Sequence, residues 1–295
     1  MSAERPPDRL ALSAFVGAVV IGGSNFVGVR ISNRELDPLW GAFLRFGLAA
    51  AVFALLIAVL RLPLPRGPVL GPAALYGLLG FAGTYGCLYW ALQDVPAGIG
   101  AVVMAIGPLL TLLLAVAHGL ERLTVRALAG AIVALGGTTL IFFQSGTDDY
   151  RWESYALLIA AVLCASEAVI VSKRIGPQHP VVTNAVGMTA GAAVLLAAAA
   201  VAGESFVLPA DSETQLAVLY LVAATVGLFL LVLYVVQRWT ASATAYVFVL
   251  MPLVALVVGW LMADEEITAT TILGGAVVCA GVYLGALARS EKNRG

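Results

Sequence analysis

Apolar residues run along this chain in long unbroken stretches, and polar positions cluster between them. The stretches 49–60 and 190–202, for example, carry no charge and do not alternate with polar residues. A membrane-facing β-strand would have to alternate, so the pattern predicts helices. Breaks at charged, proline and glycine clusters divide the chain into ten apolar segments, at 10–29, 38–60, 69–92, 96–118, 124–144, 153–173, 181–202, 214–236, 241–262 and 267–288. Each is close to the roughly 20 residues that a helix needs to cross the hydrocarbon layer. The expected fold is an all-α integral membrane protein of ten transmembrane helices joined by short loops.

Composition strengthens this reading. Of 295 residues, 61% are hydrophobic and only 11% charged. A soluble domain carries roughly 25% charged residues, so the outer surface is expected to face lipid. Net charge is −1 and there is no basic block, so nucleic acid is not an expected partner. Cys87, Cys164 and Cys279 all fall in apolar runs, where cysteine acts as a small core residue. Arg5 and Arg9 precede the first run in the manner of a signal peptide. That run is long and contains Ser24 and Asn25 without a convincing small-residue cleavage site, so it is expected to stay as the first helix.

Charge also sets an orientation. With the N-terminus in the cytoplasm, twelve Arg and Lys residues fall on the cytoplasmic side and three, Arg30, Arg34 and Arg151, on the other. This is a strong positive-inside bias, and it predicts both termini in the cytoplasm of a plasma membrane. Trp40, Trp90, Trp152, Trp239 and Trp260 fall near helix ends, where interface anchoring is expected.

The chain repeats itself. A shift of 144 residues, without gaps, superposes Gln93 on Gln237, Pro108 on Pro252, Glu121 on Glu265, Thr124 on Thr268, Gly130 on Gly274 and Gly137 on Gly281. The expected halves are residues 1–146 and 147–295. Five helices is an odd number, so the second half enters the membrane upside down. Inverted repeats typify secondary transporters, whose site lies near the midplane between the repeats.

These residues carry a resemblance. The Gly22-Gly23-Ser24-Asn25-Phe26 stretch, Arg45, the run through Pro108, Glu121 and Gly130 to Gly137, and its copy through Pro252, Glu265 and Gly274 to Gly281 resemble the two EamA repeats of the drug/metabolite transporter superfamily. The resemblance covers nearly the whole chain. It implies ten helices and export of amino acids or other metabolites, and among the family the chain looks closest to exporters of aromatic and neutral amino acids of the YddG type. The second half departs from the first in having no equivalent of Arg45.

Candidate site residues follow from polarity and position. Pro108 and Pro252 sit mid-helix, where a lost backbone donor frees a carbonyl; they read as hinges or as passive kinks. Phe81, Tyr85 and Tyr89 recur every four residues and share one helix face, as a cavity wall or as core packing. Met104, Phe229, Tyr234, Tyr246, Phe248 and Met251 would extend an aromatic lining suited to a neutral or zwitterionic solute. Such a lining suits phosphorylated sugars poorly, since phosphate recognition draws on Arg or Lys. Ser24 and Asn25 serve a substrate or hold helices together. Arg45 lies about two turns inside helix two, where it either functions or snorkels outward. Glu167, in helix six, would bind an amine or a proton, or pair with a polar neighbour near Lys173. Glu121 and Glu265 at helix starts read as structural.

The chain lacks an H-E-x-x-H pair, a G-x-S-x-G elbow and a Walker loop, so catalysis, a metal and ATP-driven pumping are not expected. No cofactor is implied. The expected partners are a small-molecule substrate and the lipid bilayer, with one copy sufficing. The readings are amino-acid export by alternating access through a central cavity or, alternatively, proton-coupled efflux of drugs or other metabolites. An intramembrane enzyme is a more distant rival.

Overall fold

The computed structural model describes residues 9–63, 67–91, 94, 103–142, 151–176, 178–263 and 269–287. These form ten helices, with no strand among the described residues. They are α1 (Arg9–Ser32), α2 (Pro38–Val59), α3 (70–91), α4 (Gly107–Ala117), α5 (Val125–Phe142), α6 (Trp152–Arg174), α7 (Pro180–Ala202), α8 (Ser212–Arg238), α9 (Ala241–Ala263) and α10 (269–287). The expected N-terminal part of the fourth helix, 95–102, lies outside the described residues. By length and composition, α2, α6, α7 and α8 are each long and apolar enough to cross a membrane.

Local chemistry sets several boundaries. Pro38 and Pro180 stand in the first turns of α2 and α7, where a missing N–H costs nothing. The Asp211 carboxylate accepts from Glu213 N at 3.2 Å and caps α8. Gly203 ends α7 at φ 73°, a left-handed turn that glycine adopts without strain.

Two further caps come from across the fold. The Glu204 carboxylate accepts from Leu39 N and Trp40 N, at 3.1 and 2.7 Å, at the start of α2. Glu121 accepts from Ser242 N at 3.0 Å and from the Ser242 hydroxyl at the start of α9, in keeping with its structural reading. Its sequence counterpart Glu265 lies outside the described residues. Lys173, at the end of α6, donates to Val236 O at 2.6 Å and to Trp239 O. It thereby places a cation at the C-terminal end of α8, where the helix dipole favours one.

The packing is symmetric under exchange of the halves. Helix α1 packs on α8, and its counterpart α6 packs on α3; α1 also packs on α9, and α6 on α4. The two counterpart pairs α2–α7 and α5–α10 pack on each other. The first helix of each half therefore sits among helices of the other half, and a single core spans both.

The α5–α10 crossing shows the relation between the halves directly. A Cβ on Gly130 would lie 2.8 Å from Gly281 O, and one on Gly281 would lie 2.8 Å from Gly130 O. The same reciprocal 2.8 Å approach joins Gly137 and Gly274. Position 130 meets 281 while 137 meets 274, so the two equivalent helices run antiparallel. Backbones touch along this seam, as small residues permit in packed membrane helices.

Two tryptophans expected at an interface are internal. Trp40 donates its indole N–H to Val207 O at 2.6 Å and contacts the rings of Phe43 and Phe206. Trp239 packs edge-on against Phe15 at 5.2 Å. In both, a buried partner for the ring outweighs the wet interface that an indole otherwise favours. Trp90 and Trp152 are exposed, and the side chain of Trp260 lies outside the described residues.

Candidate functional site

A cavity of about 180 Å³ lies between the halves, walled by α1, α2, α3, α6, α8 and α9 and by Met104 ahead of α4. That is room for about six bulk-water volumes. Five pairs of its lining residues are separated by the 144-residue repeat: Asn25 and Val169, Thr84 and Leu228, Tyr85 and Phe229, Leu88 and Val232, and Met104 and Phe248. The cavity therefore straddles the pseudo-two-fold axis that relates the halves.

Of the residues singled out from sequence, Asn25, Arg45, Tyr85, Tyr89, Met104, Phe229, Phe248 and Met251 line this space. Arg45 is buried and does not snorkel. Its Nε donates to Thr225 Oγ1 at 2.6 Å, and its guanidinium carbon lies 5.5 Å from the Tyr85 ring centroid. The Tyr89 phenol lies beside it as well. Among the described residues no carboxylate comes within ion-pair distance of Arg45, and none lines the cavity. The Asn25 Oδ1 is buried with no hydrogen-bond partner. Phe248 stands four residues before Pro252 within α9, so it carries the carbonyl that this proline leaves without an intrahelical donor; Met104, four residues before Pro108, lies ahead of α4.

Other candidates lie elsewhere. Phe81 is fully buried behind the wall, with Phe229 at 4.8 Å, Phe46 at 5.1 Å and Tyr76 at 5.3 Å between ring centroids. Phe81 and Tyr85 both contact the Phe46 ring. Residues Leu78–Gly83 of α3, Phe81 among them, form a π-helical turn, and the Thr84 hydroxyl donates to Leu79 O five residues back at 2.8 Å. Ser24 faces α8, accepting from the Tyr220 hydroxyl at 2.6 Å. Glu167 pairs with His118 at 3.5 Å, not with Arg45, and both are part-exposed. The Tyr234 ring is covered by the Arg238 guanidinium at 3.7 Å, and Tyr246 is buried against Gly285 of α10. Pro108 is buried in the first turn of α4, behind a turn at Ala105 and Ile106; the side chain of Pro252 lies outside the described residues.

Sequence reasoning passed over Tyr76, Thr84 and Ser172, which also line the cavity. Thr84 and Ser172 carried a usable signal as hydroxyls within apolar runs. Both, however, donate to carbonyls of their own helices. Tyr76 lies on the far side of the π turn, and its hydroxyl hydrogen-bonds Asn184 Oδ1 at 3.3 Å.

Comparison with known proteins places this geometry. The model of the EamA-like transporter family matches residues 9–143 and again 152–286. The chain is 32% identical to the uncharacterized inner membrane transporter YedA of Escherichia coli K12, over 92% of this chain and 89% of that one. It is 27% identical to a probable terminal-alkyne amino-acid exporter of Streptantibioticus cattleyicolor, covering 93% and 92% of the two chains. Identity is also 27% with a probable amino-acid metabolite efflux pump of Escherichia coli K12, covering 90% and 91%. A crystal structure of a protein 20% identical to this chain superposes with a TM-score of 0.81, over 94% of this chain and 97% of the other, and so shares the fold.

Proposed function

The chain belongs to the EamA-like transporter family and is an integral membrane transporter, and from that premise we propose that it exports neutral or zwitterionic amino acids by alternating access. One observation carries the reading: the cavity lies on the pseudo-two-fold axis, lined by five repeat-related pairs. A site so placed can be offered to either side when two similar halves exchange conformations. The lining is mainly apolar and aromatic with one cation, which suits an amino acid better than a phosphorylated solute. Two relatives are named for amino-acid or amino-acid metabolite export, which supports the same class. In this proposal ten helices cross the plasma membrane as two inverted halves, with both termini cytoplasmic as the positive-inside bias favours. Pro108 and Pro252 act as the hinges.

Proton-coupled drug efflux would call for an acid facing the solute, and the described lining holds no Asp or Glu. The test is uptake of labelled amino acids by proteoliposomes containing the purified protein, with and without a pH gradient. Saturable flux of phenylalanine, tryptophan or a neutral aliphatic amino acid is expected. Folded, inserted protein that carries no amino acid would overturn the reading.

A further inference from the structure

Three of the five repeat-related pairs match in position but not in polarity. Asn25 stands 144 residues before Val169, Thr84 before Leu228, and Tyr85 before Phe229. In each, the polar member belongs to the first half and the apolar member to the second. Arg45 adds a cation from the first half, and the second half has no equivalent Arg. Ser172, a second-half exception, commits its hydroxyl to Val169 O at 2.7 Å, as Thr84 does to Leu79 O. The polar groups of the lining thus come mainly from residues of the first half.

The polar lining is also incomplete. Arg45 is 3% exposed and Asn25 5% exposed. The Nε of Arg45 is occupied by Thr225, but no carboxylate neutralises the guanidinium among the described residues. The Oδ1 of Asn25 accepts nothing. A buried cation without a counter-ion and a buried acceptor without a donor each carry a free-energy penalty. A single ligand bearing a carboxylate and an ammonium would remove both. Its remaining surface would then meet Phe229, Val232 and Phe248, the apolar lining that the second half supplies.

We infer that the cavity holds its solute in one fixed orientation, with the zwitterionic head at Arg45 and Asn25 of the first half and the apolar side chain against Phe229, Val232 and Phe248 of the second. This rests on the amino-acid reading above and goes beyond it: both charges of the head are required, and head and side chain are read by different halves. Arg45 binds the carboxylate as a charge-assisted donor. Asn25 accepts from the ammonium. Phe229 bounds the side-chain pocket.

The test is competition against labelled leucine or phenylalanine, whichever the full-length protein carries, in proteoliposomes. The competitors are the amino acid, its decarboxylated amine (3-methylbutylamine or 2-phenylethylamine) and its des-amino acid (4-methylpentanoate or 3-phenylpropanoate). Both truncated compounds are expected to compete about tenfold or more weakly, as when a buried polar group is left unpaired. Arg45→Met should abolish the preference for the amino acid over its amine. Phe229→Ala should shift the side-chain preference toward bulkier residues and leave the head requirement intact. An amine that competes as well as its amino acid in wild type would overturn the inference without touching the amino-acid reading. So would folded Arg45→Met protein that keeps the preference; if that variant does not fold, the wild-type competition decides. Absence of flux with every amino acid would sink the function reading, and this one with it.

Discussion

Arg45 and Glu167 are both charges within long apolar helices, yet they sit in different surroundings. Arg45 is enclosed, bonded to a hydroxyl and flanked by rings. Glu167 is part-exposed and already has His118 as a partner. A part-exposed pair of this kind is worth at most about 1 kcal/mol, so Glu167→Gln is expected to leave gradient-driven amino-acid flux within a few-fold of wild type. The opposite finding would be a pH gradient that drives uphill transport in wild type and fails to do so in the variant. Glycine at position 137 is under a harder constraint. A Cβ there would lie 2.6 Å from Val278 N and 2.8 Å from Gly274 O. These are backbone atoms that cannot rotate away, so Gly137→Ala should destabilise the protein by about 1–3 kcal/mol, as overpacking does. A lowered unfolding temperature of the detergent-purified variant would show it.

At the scale of elements, helix existence was readable and helix detail was not. Apolar runs placed ten segments, and nine of the observed helices begin and end close to them, as with 38–60 against Pro38–Val59, whereas α4 begins at Gly107, after a turn that the segment 96–118 did not anticipate. The π turn in α3 was invisible because it changes no hydrophobicity, and Phe81 within it is buried behind the wall while Tyr85 and Tyr89 line it. The caps given by Glu121 and Glu204 join residues 121 and about 165 positions apart, and no local pattern announces a partner so distant. The loops after α1 and α7 meet in the same way. Asp37 accepts from Ser205 N at 2.8 Å and from its hydroxyl at 2.5 Å, while Glu35 accepts from Ala210 N at 2.7 Å. The Ser205 hydroxyl first, and then its backbone N–H, hold the Asp37 carboxyl below its ordinary value. Because the folded-state value is the lower one, the stabilisation is complete above the ordinary carboxylate value near pH 4 and is lost as pH falls through the depressed value. Asp37→Asn should therefore melt below wild type by a constant margin at neutral pH, and the two should converge in acid. The site is exposed and screened, so the margin is small.

At the scale of the molecule, the 144-residue repeat announced two related halves but not how they interlock. Exchange of partners, with α1 on α8 and α9 and α6 on α3 and α4, depends on contacts between halves that periodicity within each half does not encode. The same limit applied to the site. Aromatic and polar residues marked its general lining, whereas the uneven share of polar groups between the halves emerged only once repeat-related positions were seen lining one space. The interlock bears on how the protein is made. Arg45 meets Thr225 only after 180 more residues have been synthesised. Until then the first half has a bare cation and half a core. Residues 1–146 produced alone should be degraded, whereas co-expression with a separate 147–295 chain should protect both and let them co-purify. Survival of the first half by itself would mean that biogenesis proceeds one finished half at a time; mutual rescue would mean that neither half is a folding unit, and that the last helices to leave the ribosome complete the first.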